Sequence, residues 1–292
     1  MARLALGTVQ FGLDYGISNT HGQVSEAQAR MMIDLARQAG LCTLDTAVMY
    51  GQSEQRLGAI GVSGFEVVTK LPAVPEPLES TAEITQWMSQ EIEGSFARLN
   101  VSGVAGVLLH RPEQIMGAKR RAICAALDLV SQRYRLGKIG ASVYDPQELG
   151  PLLDCYGFGC IQAPLSVIDQ RLVSSGWIGK LKARGIEIHT RSAFLQGVLL
   201  MGFDALPPLF NPWGPVFAQW QAWCAANGYS KVEAALFYPL SIPEVDKVVV
   251  GATSPAELDQ ILAVATRPIP QNFPDIAQTD ERLLNPSKWS TL

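Results

Sequence analysis

The sequence has few cysteines, few histidines and no long apolar run, and each shortage excludes a class of protein. Its five cysteines include no C-x-x-C pair, and Cys42 falls inside a predicted apolar strand, so we expect reduced thiols. With three histidines and no H-E-x-x-H motif, we predict no metal site. No window has the length of a membrane span, and the apolar run at the N-terminus is too short for a signal peptide. The sequence therefore predicts a cytoplasmic protein with no membrane contact.

An excess of basic residues is also missing. The 27 acidic and 23 basic residues give a formal net charge of −4, and there is no long basic run or basic helix face. These features disfavour a nucleic-acid partner. A hydrophobic content of 48% and a charged content of 17% are typical of a globular protein, and 292 residues can bury one large core or two modest ones. The sequence leaves the oligomeric state open.

Segments with strand and helix patterns alternate along almost the whole chain. The predicted strands are at 3–7, 42–44, 65–70, 104–110, 138–142, 159–162, 186–190 and 247–251. Eight strands and about eight helices at this length are typical of an α/β protein with the (β/α)8 fold, the TIM barrel. A doubly wound open sheet is the alternative, but no G-x-G-x-x-G motif follows a strand. We predict a single barrel domain over 1–292, with 268–292 as a C-terminal tail over the barrel.

Four chemically active side chains lie at or just past the C-terminal ends of the early strands. They are Asp45 after the second strand, Tyr50 in the following loop, Lys70 at the end of the third strand and His110 at the end of the fourth. Taken singly, each has a structural interpretation, such as a helix cap for Asp45 or a solvated strand end for Lys70. Because the C-terminal ends of barrel strands meet on one face, we expect the four side chains to converge.

Together these groups are suited to delivering a proton to a carbonyl oxygen. A free tyrosine has a pKa of about 10, and a nearby lysine ammonium favours the phenolate, so we expect Lys70 to lower the pKa of Tyr50. Asp45 would keep Lys70 charged and in place, and His110 would hydrogen-bond a substrate oxygen. Side chains do not donate hydride, so reduction of the carbonyl requires a nicotinamide cofactor.

The sequence resembles the aldo-keto reductase family, including its bacterial members, along nearly its whole length. The shared stretches are Gly7-Thr8, Phe11-Gly12, Leu44-Asp45-Thr46-Ala47, Tyr50-Gly51, Ser53-Glu54, Val68-Thr69-Lys70, Leu108-Leu109-His110, Gly137 to Ser142, Gln162, Arg191-Ser192 and Val250-Gly251-Ala252. The resemblance implies NAD(P)H-dependent reduction of a small-molecule aldehyde or ketone, with a sugar carbonyl as one candidate. It implies Tyr50 as the general acid, Lys70 and Asp45 as its tuning pair, and His110 as the residue that orients the carbonyl.

The resemblance also implies a site for NADP(H), with NAD(H) as a close alternative. The residues that correspond to cofactor contacts in the family are Gly7, Thr8, Asp45, Ser142, Gln162, Arg191, Ser192, Phe194, Gln196, Gly197, Gly251, Thr253, Glu257 and Gln260. Val143 stands where relatives carry a carboxamide-binding asparagine. Arg191 stands where many relatives stack an aromatic ring on the nicotinamide, and a planar guanidinium can stack similarly. Glu257 stands where NADPH-preferring relatives often have a cation; its structural interpretation is an exposed glutamate in the last helix.

Two further expectations concern the ends of the barrel. Around the substrate pocket we expect Tyr15, Trp213 and Trp289. The first strand begins too early for the N-terminal hairpin that plugs the barrel in many relatives, so side chains or a partner subunit would close that end.

A different class of function is a cofactor-binding regulatory or redox-sensing protein with vestigial reductase activity, similar to potassium-channel β subunits. The intact set of four residues favours the enzyme over this alternative. A metal-dependent barrel isomerase would need clustered acids and histidines at strand ends, and only Asp45 and His110 qualify.

Overall fold

The computed structural model describes residues 3–291, and in them eight parallel strands close into a barrel. The strands are β1 (Leu4–Gly7), β2 (Thr43–Asp45), β3 (Glu66–Leu71), β4 (Gly106–Leu109), β5 (Lys138–Ser142), β6 (Cys160–Pro164), β7 (Glu187–Arg191) and β8 (Lys247–Gly251). Each strand pairs with the next in sequence, and β8 pairs with β1. The predicted TIM barrel is therefore confirmed.

Helices and short 3-10 turns connect the strands. The α-helices are α1 (Val9–Gly12), α2 (Glu26–Gln38), α3 (Ser53–Ile60), α4 (Thr81–Leu99), α5 (Arg120–Arg133), α6 (Leu149–Leu153), α7 (Arg171–Ser174), α8 (Trp177–Ala183), α9 (Gly214–Asn227), α10 (Lys231–Ser241), α11 (Pro255–Val264) and α12 (Glu281–Leu284). None of the helices within residues 3–291 is long and apolar enough to cross a lipid bilayer.

Helix α4 shows how the sequence specifies these elements. Its N-cap Ser80 accepts a hydrogen bond from the backbone N–H of Glu83, and the Glu83 side chain accepts one from the backbone N–H of Ser80. This capping box satisfies N–H groups that the first helical turn leaves unpaired, and replacing the cap by alanine costs about 1 kcal/mol. Ile84, Met88 and Ile92 recur at helical spacing and are buried, so one face of α4 packs into the core.

Side chains alternate along each strand between the barrel interior and the layer of helices. On β3, Val67 joins the large core beneath the helices, whereas Val68 belongs to a small cluster with Leu108 and Cys160 inside the barrel. Lys70 has the same parity as Val68 and therefore also faces inward. A shift of one residue in the register would exchange the two faces, so burial of the apolar face fixes which side chains reach the interior.

Strand β2 begins one residue later than the sequence predicted and includes Asp45, which pairs with Gly7 and Val68. The prediction that Cys42 lies inside an apolar strand is wrong. Cys42 is exposed and lies just before β2, close to the turn at Gly40. Its thiol donates a hydrogen bond to the Gly40 carbonyl oxygen at 3.3 Å. All five cysteines are free thiols.

The C-terminal tail packs against loops that follow the strands. The backbone N–H of Gln278 donates to the carbonyl of Ile168, in the loop after β6, at 2.8 Å. Leu283 and Leu284 of α12 are buried. The tail therefore contributes side chains near the C-terminal ends of the strands. At the other end of the barrel, no hairpin precedes β1 within the residues that the structure describes.

Candidate active site

Asp45 and Lys70 form a buried ion pair at the C-terminal end of the barrel interior. The Lys70 ammonium donates to Asp45 Oδ1 at 2.5 Å and to the carbonyl oxygen of Thr46 at 2.8 Å. Asp45 Oδ2 accepts a hydrogen bond from Gln162 Nε2 on β6 at 2.7 Å. Both carboxylate oxygens are therefore occupied, and the Lys70 side chain is fully buried. Such a pair holds its geometry because an unpaired charge at this depth would be costly.

Tyr50 and His110 lie directly against this pair. The Lys70 nitrogen is 4.9 Å from the centroid of the Tyr50 ring. The rings of Tyr50 and His110 meet edge to face, with centroids 5.8 Å apart. The structure thus brings together the four side chains that the sequence predicted to converge, although their catalytic roles stay predictions.

The pKa of Tyr50 differs in direction from the sequence expectation. Burial raises the pKa of Tyr50, and the charge of Lys70 opposes this effect without overcoming it. The expectation of a lowered pKa is therefore wrong for this structure. The sequence showed the nearby lysine, but it did not show that folding removes the Tyr50 phenol almost completely from water, which disfavours the charged phenolate.

The pKa values of the two neighbouring groups move apart. Burial acts to lower the pKa of Lys70, but Asp45 and Tyr50 outweigh it, so the pKa of Lys70 is raised and the ammonium is retained. Burial, aided by the positive charge of Lys70, lowers the pKa of His110 to about 4. At neutral pH the site therefore contains a charged lysine, a protonated phenol and a neutral imidazole.

A network of buried hydroxyl groups fixes the backbone on both sides of Asp45. The Thr8 hydroxyl donates to the Asp45 carbonyl at 2.9 Å, and the Ser53 hydroxyl donates to the Thr8 carbonyl at 2.8 Å. The Ser53 and Thr46 hydroxyls are 3.1 Å apart. The network joins the ends of β1 and β2 to the start of α3. The sequence showed Thr8 and Ser53 only as shared residues and gave no sign of this network.

Two glycines allow the Tyr50 backbone to approach α1. A Cβ atom at Gly12 would lie 1.7 Å from the Tyr50 carbonyl oxygen, so no larger residue fits there without displacing the tyrosine. Gly51 has φ +55°, in the left-handed region, and its added Cβ would lie 2.4 Å from the Gly12 carbonyl oxygen. The position of Tyr50 is therefore set by direct packing of backbone on backbone.

A cavity of about 250 Å³, here called the groove, extends from Tyr50 and Asp45 past the ends of β1, β7 and β8. The predicted cofactor residues that line it are Gly7, Thr8, Asp45, Gln162, Arg191, Ser192, Phe194, Gln196, Gly197, Gly251, Thr253 and Glu257. Two predicted residues do not line it: Ser142 lines a neighbouring cavity, and Gln260 is exposed on α11. The groove passes from the buried site to the surface, as an extended ligand requires.

Arg191 and Glu257 occupy the groove in ways that the sequence did not show. Arg191 donates to the Val143 carbonyl at 3.0 Å, and its guanidinium carbon is 4.4 Å from the centroid of the Tyr144 ring. The Glu257 carboxylate accepts from the backbone N–H and the hydroxyl of Thr253, at 2.7 and 2.9 Å. Glu257 is exposed and lies in the first turn of α11, so it also fits the structural interpretation of a helix-end carboxylate.

The wall of the groove at 192–197 contains unusual backbone geometry. Ser192, Leu195 and Gln196 have φ of +65°, +46° and +52°, which non-glycine residues rarely adopt. Gln196 Nε2 is 3.1 Å from the Tyr15 hydroxyl, and the Ser18 hydroxyl donates to the Gln196 carbonyl at 3.3 Å. The loops after β1 and β7 therefore meet across the groove. Strain of this kind concentrates at ligand sites.

Gln10 is a groove residue that the sequence analysis missed. Its side chain is only 9% exposed, and its Oε1 atom has no hydrogen-bond partner within the described residues. A buried carbonyl oxygen without a donor costs about 1–3 kcal/mol, so a ligand hydroxyl or amide at this point would be stabilised. Together with the Arg191 cation and the hydroxyls of Ser192 and Thr253, these groups fit a dinucleotide with its riboses and phosphates.

A second cavity of about 420 Å³, here called the polar cavity, lies beside His110. Its walls come from the loops after β4 and β5, from Arg171 and from the C-terminal tail. Of the predicted substrate-pocket residues, Tyr15 lines the groove, and neither Trp213 nor Trp289 lines either cavity.

Trp213 and Trp289 are buried and lie outside both of these cavities, and their assignment to the substrate pocket stays a prediction. Trp213 is 7% exposed and Trp289 8% exposed. The Trp289 indole N–H donates to the Leu283 carbonyl at 3.1 Å, and its ring centroid is 5.1 Å from that of Phe210. The rings anchor the tail to the barrel because a large apolar surface is stabilised by burial.

No group of three His, Cys, Asp or Glu side chains within 3–291 has the geometry to hold a metal ion.

A sequence model of the Aldo/keto reductase family matches residues 3–281. The chain is similar to L-galactose dehydrogenase from Arabidopsis thaliana, with 25% identity over 283 residues that cover 90% of this chain and 85% of that protein.

Many solved structures resemble the chain, and two of them are described here. One is an aldo-keto reductase from Bacillus halodurans in its holo form, with a TM-score of 0.71, 18% identity and coverage of 91% of this chain and 87% of that one. Another is a Pseudomonas aeruginosa protein described as an aldo-keto reductase, with a TM-score of 0.64, 22% identity and coverage of 90% and 89%. At these identities the two structures support the barrel fold alone.

Proposed function

The chain belongs to the aldo/keto reductase family, and from that premise we propose that it is an NAD(P)H-dependent oxidoreductase that reduces an aldehyde or ketone to an alcohol. Tyr50 is the proton donor. Membership of the family, together with the similarity to a protein named L-galactose dehydrogenase, supports an oxidoreductase that acts on carbonyl compounds. The same similarity makes a sugar carbonyl a reasonable substrate.

The observation that carries this proposal is the buried Lys70–Asp45 pair beneath the Tyr50 ring. Because burial raises the pKa of Tyr50, the phenol keeps its proton at neutral pH, as a proton donor must. When the proton leaves for the carbonyl oxygen, the fixed ammonium of Lys70 stabilises the phenolate that forms. The Lys70 charge thus acts on the product of proton transfer more than on the resting tyrosine.

His110 orients the substrate by hydrogen bonding. With a pKa of about 4, its imidazole is neutral at pH 7 and can donate one ring N–H to the carbonyl oxygen. A bound nicotinamide would be the source of the hydride for the carbonyl carbon, because side chains do not donate hydride. The proton from Tyr50 forms the O–H bond, so the carbonyl becomes an alcohol and the tyrosine regains its proton from the surroundings.

The residues of the groove would hold the cofactor. Arg191, Ser192 and Thr253 present a cation and two hydroxyls to the ribose and phosphate groups, and Gln10 presents its unpartnered oxygen. NADP(H) is the cofactor on family grounds, with NAD(H) close behind because the Glu257 carboxylate would repel a 2′-phosphate. Residues from the first strands and from the tail surround one site, which supports a single domain over 1–292.

A cofactor titration followed by a carbonyl assay tests the proposal. Quenching of tryptophan fluorescence gives the Kd for NADPH and NADH, and oxidation of the bound cofactor by nitrobenzaldehyde gives turnover. We expect binding of at least one cofactor together with turnover. Binding without any turnover would favour the regulatory alternative. Tight binding of NADPH with no binding of NADH would remove the argument from Glu257.

A further inference from the structure

Three side chains of α5 contact the segment 154–156, which follows α6. They are Arg120, Cys124 and Asp128, which are four residues apart and therefore lie on one face of the helix. Arg120 donates to the Asp154 carbonyl at 2.6 Å. Asp128 accepts a hydrogen bond from the Tyr156 hydroxyl at 2.9 Å. The segment is thereby held against α5 on both sides of its middle residue.

Two cysteines meet between these hydrogen bonds. The Cys124 thiol donates to the backbone carbonyl of Cys155 at 3.5 Å. A disulfide needs Cα atoms within about 7 Å of each other. Contact between the sulfur of one cysteine and the backbone of the other brings the two residues close to that separation, and the flanking hydrogen bonds hold them there.

The side chains of the two cysteines also interact through their charges. Burial raises the pKa of the Cys124 thiol, and the charge of an ionised Cys155 adds to this effect. Charges more than about 10 Å apart are largely screened, so an interaction of this kind identifies the two thiols as neighbours. It agrees with the direct contact between the Cys124 sulfur and residue 155.

Both thiols can be reached by a small reagent from solution. Cys124 and Cys155 are half-buried, whereas Cys160 and Cys224 are buried. Oxidation of a thiol depends on its exposure as well as on its ionisation. Neither Cys124 nor Cys155 lines the groove or the polar cavity, so the chemistry of this pair does not depend on the proposed reductase function.

We propose that Cys124 and Cys155 are a redox-active pair that forms a reversible disulfide when the protein meets hydrogen peroxide. One thiolate attacks the peroxide, breaks its O–O bond and becomes a sulfenic acid, and one water leaves. The other sulfur attacks the sulfenic sulfur, forms the S–S bond and releases a second water. The two thiols lose two protons and two electrons, and one peroxide is reduced to two waters.

The disulfide joins two elements of the outer layer of the barrel. Helix α5 lies between β4 and β5 in sequence, and the segment 154–156 leads from α6 into β6. The two cysteines are 31 residues apart in sequence. Closing a loop of this length restricts the unfolded chain, so the oxidised protein resists unfolding better than the reduced protein.

Thiol titration and peptide mapping of the peroxide-treated full chain test the inference. A slight excess of hydrogen peroxide should lower the number of free thiols by two per chain, and dithiothreitol should restore them. Mass spectrometry of a tryptic digest without reduction should show the peptide of Cys124 linked to that of Cys155. Fragmentation should place the bond at Cys155 and not at Cys160, which falls in the same peptide. The Tm should rise by about 5 °C on oxidation.

Three cysteine variants separate this pair from the other thiols. Cys124→Ser and Cys155→Ser should each abolish the linked peptide and the rise in Tm, and either variant suffices because each removes one of the two sulfurs. Cys42→Ser is the matched control, since Cys42 is exposed and outside the pair, and it should behave as the original chain does. Oxidation that yields only sulfinic acids or links between chains would overturn the inference. So would a rise in Tm that persists in Cys155→Ser.

Discussion

The two ends of the barrel interior carry the same kinds of charged residue in different surroundings. At the C-terminal end, Lys70 pairs with Asp45 beneath Tyr50. At the N-terminal end, Lys138 pairs with Glu187, which also lies 2.6 Å from the ring nitrogen of His189. A lysine, a carboxylate and a histidine are thus present at both ends.

The two sets arise from one regularity of the strands. On β3, Glu66 lies at the N-terminal end and Lys70 at the C-terminal end, four residues apart and on the same face. On β7, Glu187 and Arg191 have the same relation. Side chains alternate with period two along a strand, so residues four apart face the same side. A strand with inward polar residues at both of its ends therefore places polar groups at both mouths of the barrel.

Burial distinguishes the two pairs. The Lys70 side chain is 0% exposed, whereas that of Lys138 is 49% exposed. Water screens the pair at Lys138, so it has little influence on its neighbours. Little water screens the buried Lys70 charge, so it shifts the pKa values of Tyr50 and His110. Two cavities beside these side chains give ligands access. Residue types alone therefore do not make the site, which also needs burial, the adjacent Tyr50 ring and a cavity that gives ligands access.

The largest expected effect follows from breaking the buried pair. Lys70→Met removes the partner of a buried Asp45 carboxylate, so we expect the free energy of unfolding to fall by about 3–5 kcal/mol. Reductase activity should fall by at least about 10²-fold, since the phenolate of Tyr50 loses its stabilising charge. Denaturant titration measures the first quantity and kcat/KM the second. A Lys70→Met protein with the activity of the original chain would show that the charge is irrelevant to catalysis.

Removing the phenol hydroxyl tests the chemistry without removing the charge. We expect Tyr50→Phe to lower kcat/KM for a reducible aldehyde by at least about 10²-fold, because the proton donor is lost while the ring is kept. Cofactor affinity, followed by fluorescence quenching, should change little and serves as the control for folding. An unchanged rate would mean that Tyr50 is not the acid.

His110 should make stability depend on pH. Its pKa is lowered from the usual 6.5 to about 4 in the folded chain. Between these values the unfolded chain binds the proton and the folded chain does not, so stability falls as pH drops from about 6.5 toward 4. Above this window the imidazole is neutral in both states, and below it the imidazole is charged in both.

Denaturation of the original chain and of His110→Gln at pH 7 and pH 5 measures this contribution. The variant should lose less stability between the two values, because glutamine does not titrate. An equal loss in both proteins would place the pH dependence in other groups.

The convergence of Asp45, Lys70 and His110 could be predicted because it depends on local patterns. Each lies at the end of an apolar strand, and eight such strands leave few alternatives to a closed barrel. Most of the residues that line the groove could also be predicted, because the family resemblance rests on local stretches of sequence at the strand ends. The direction of the Tyr50 pKa shift could not be predicted, since it depends on how deeply the folded chain buries the ring.

Features that depend on distant packing were missed. The tail sequence shows the Trp289 ring but not that Phe210, from the loop after β7, receives it in the interior. Likewise, nothing in the sequence near Gln10 reveals that its oxygen lacks a donor, because that depends on every segment around it. Contacts between residues far apart in sequence have no local signature.

The smallest expected effect belongs to the exposed pair at the N-terminal end. Lys138→Met should change the free energy of unfolding by no more than about 1 kcal/mol and leave kcat/KM unchanged, because Coulomb attraction between half-exposed groups is weak. Added salt should shrink even this difference, since ions screen the pair in the original chain. Denaturant titrations at low and high salt measure both quantities. A loss comparable to that of Lys70→Met would contradict the idea that burial separates the two ends, and the distinction would then have to be sought in Tyr50 alone.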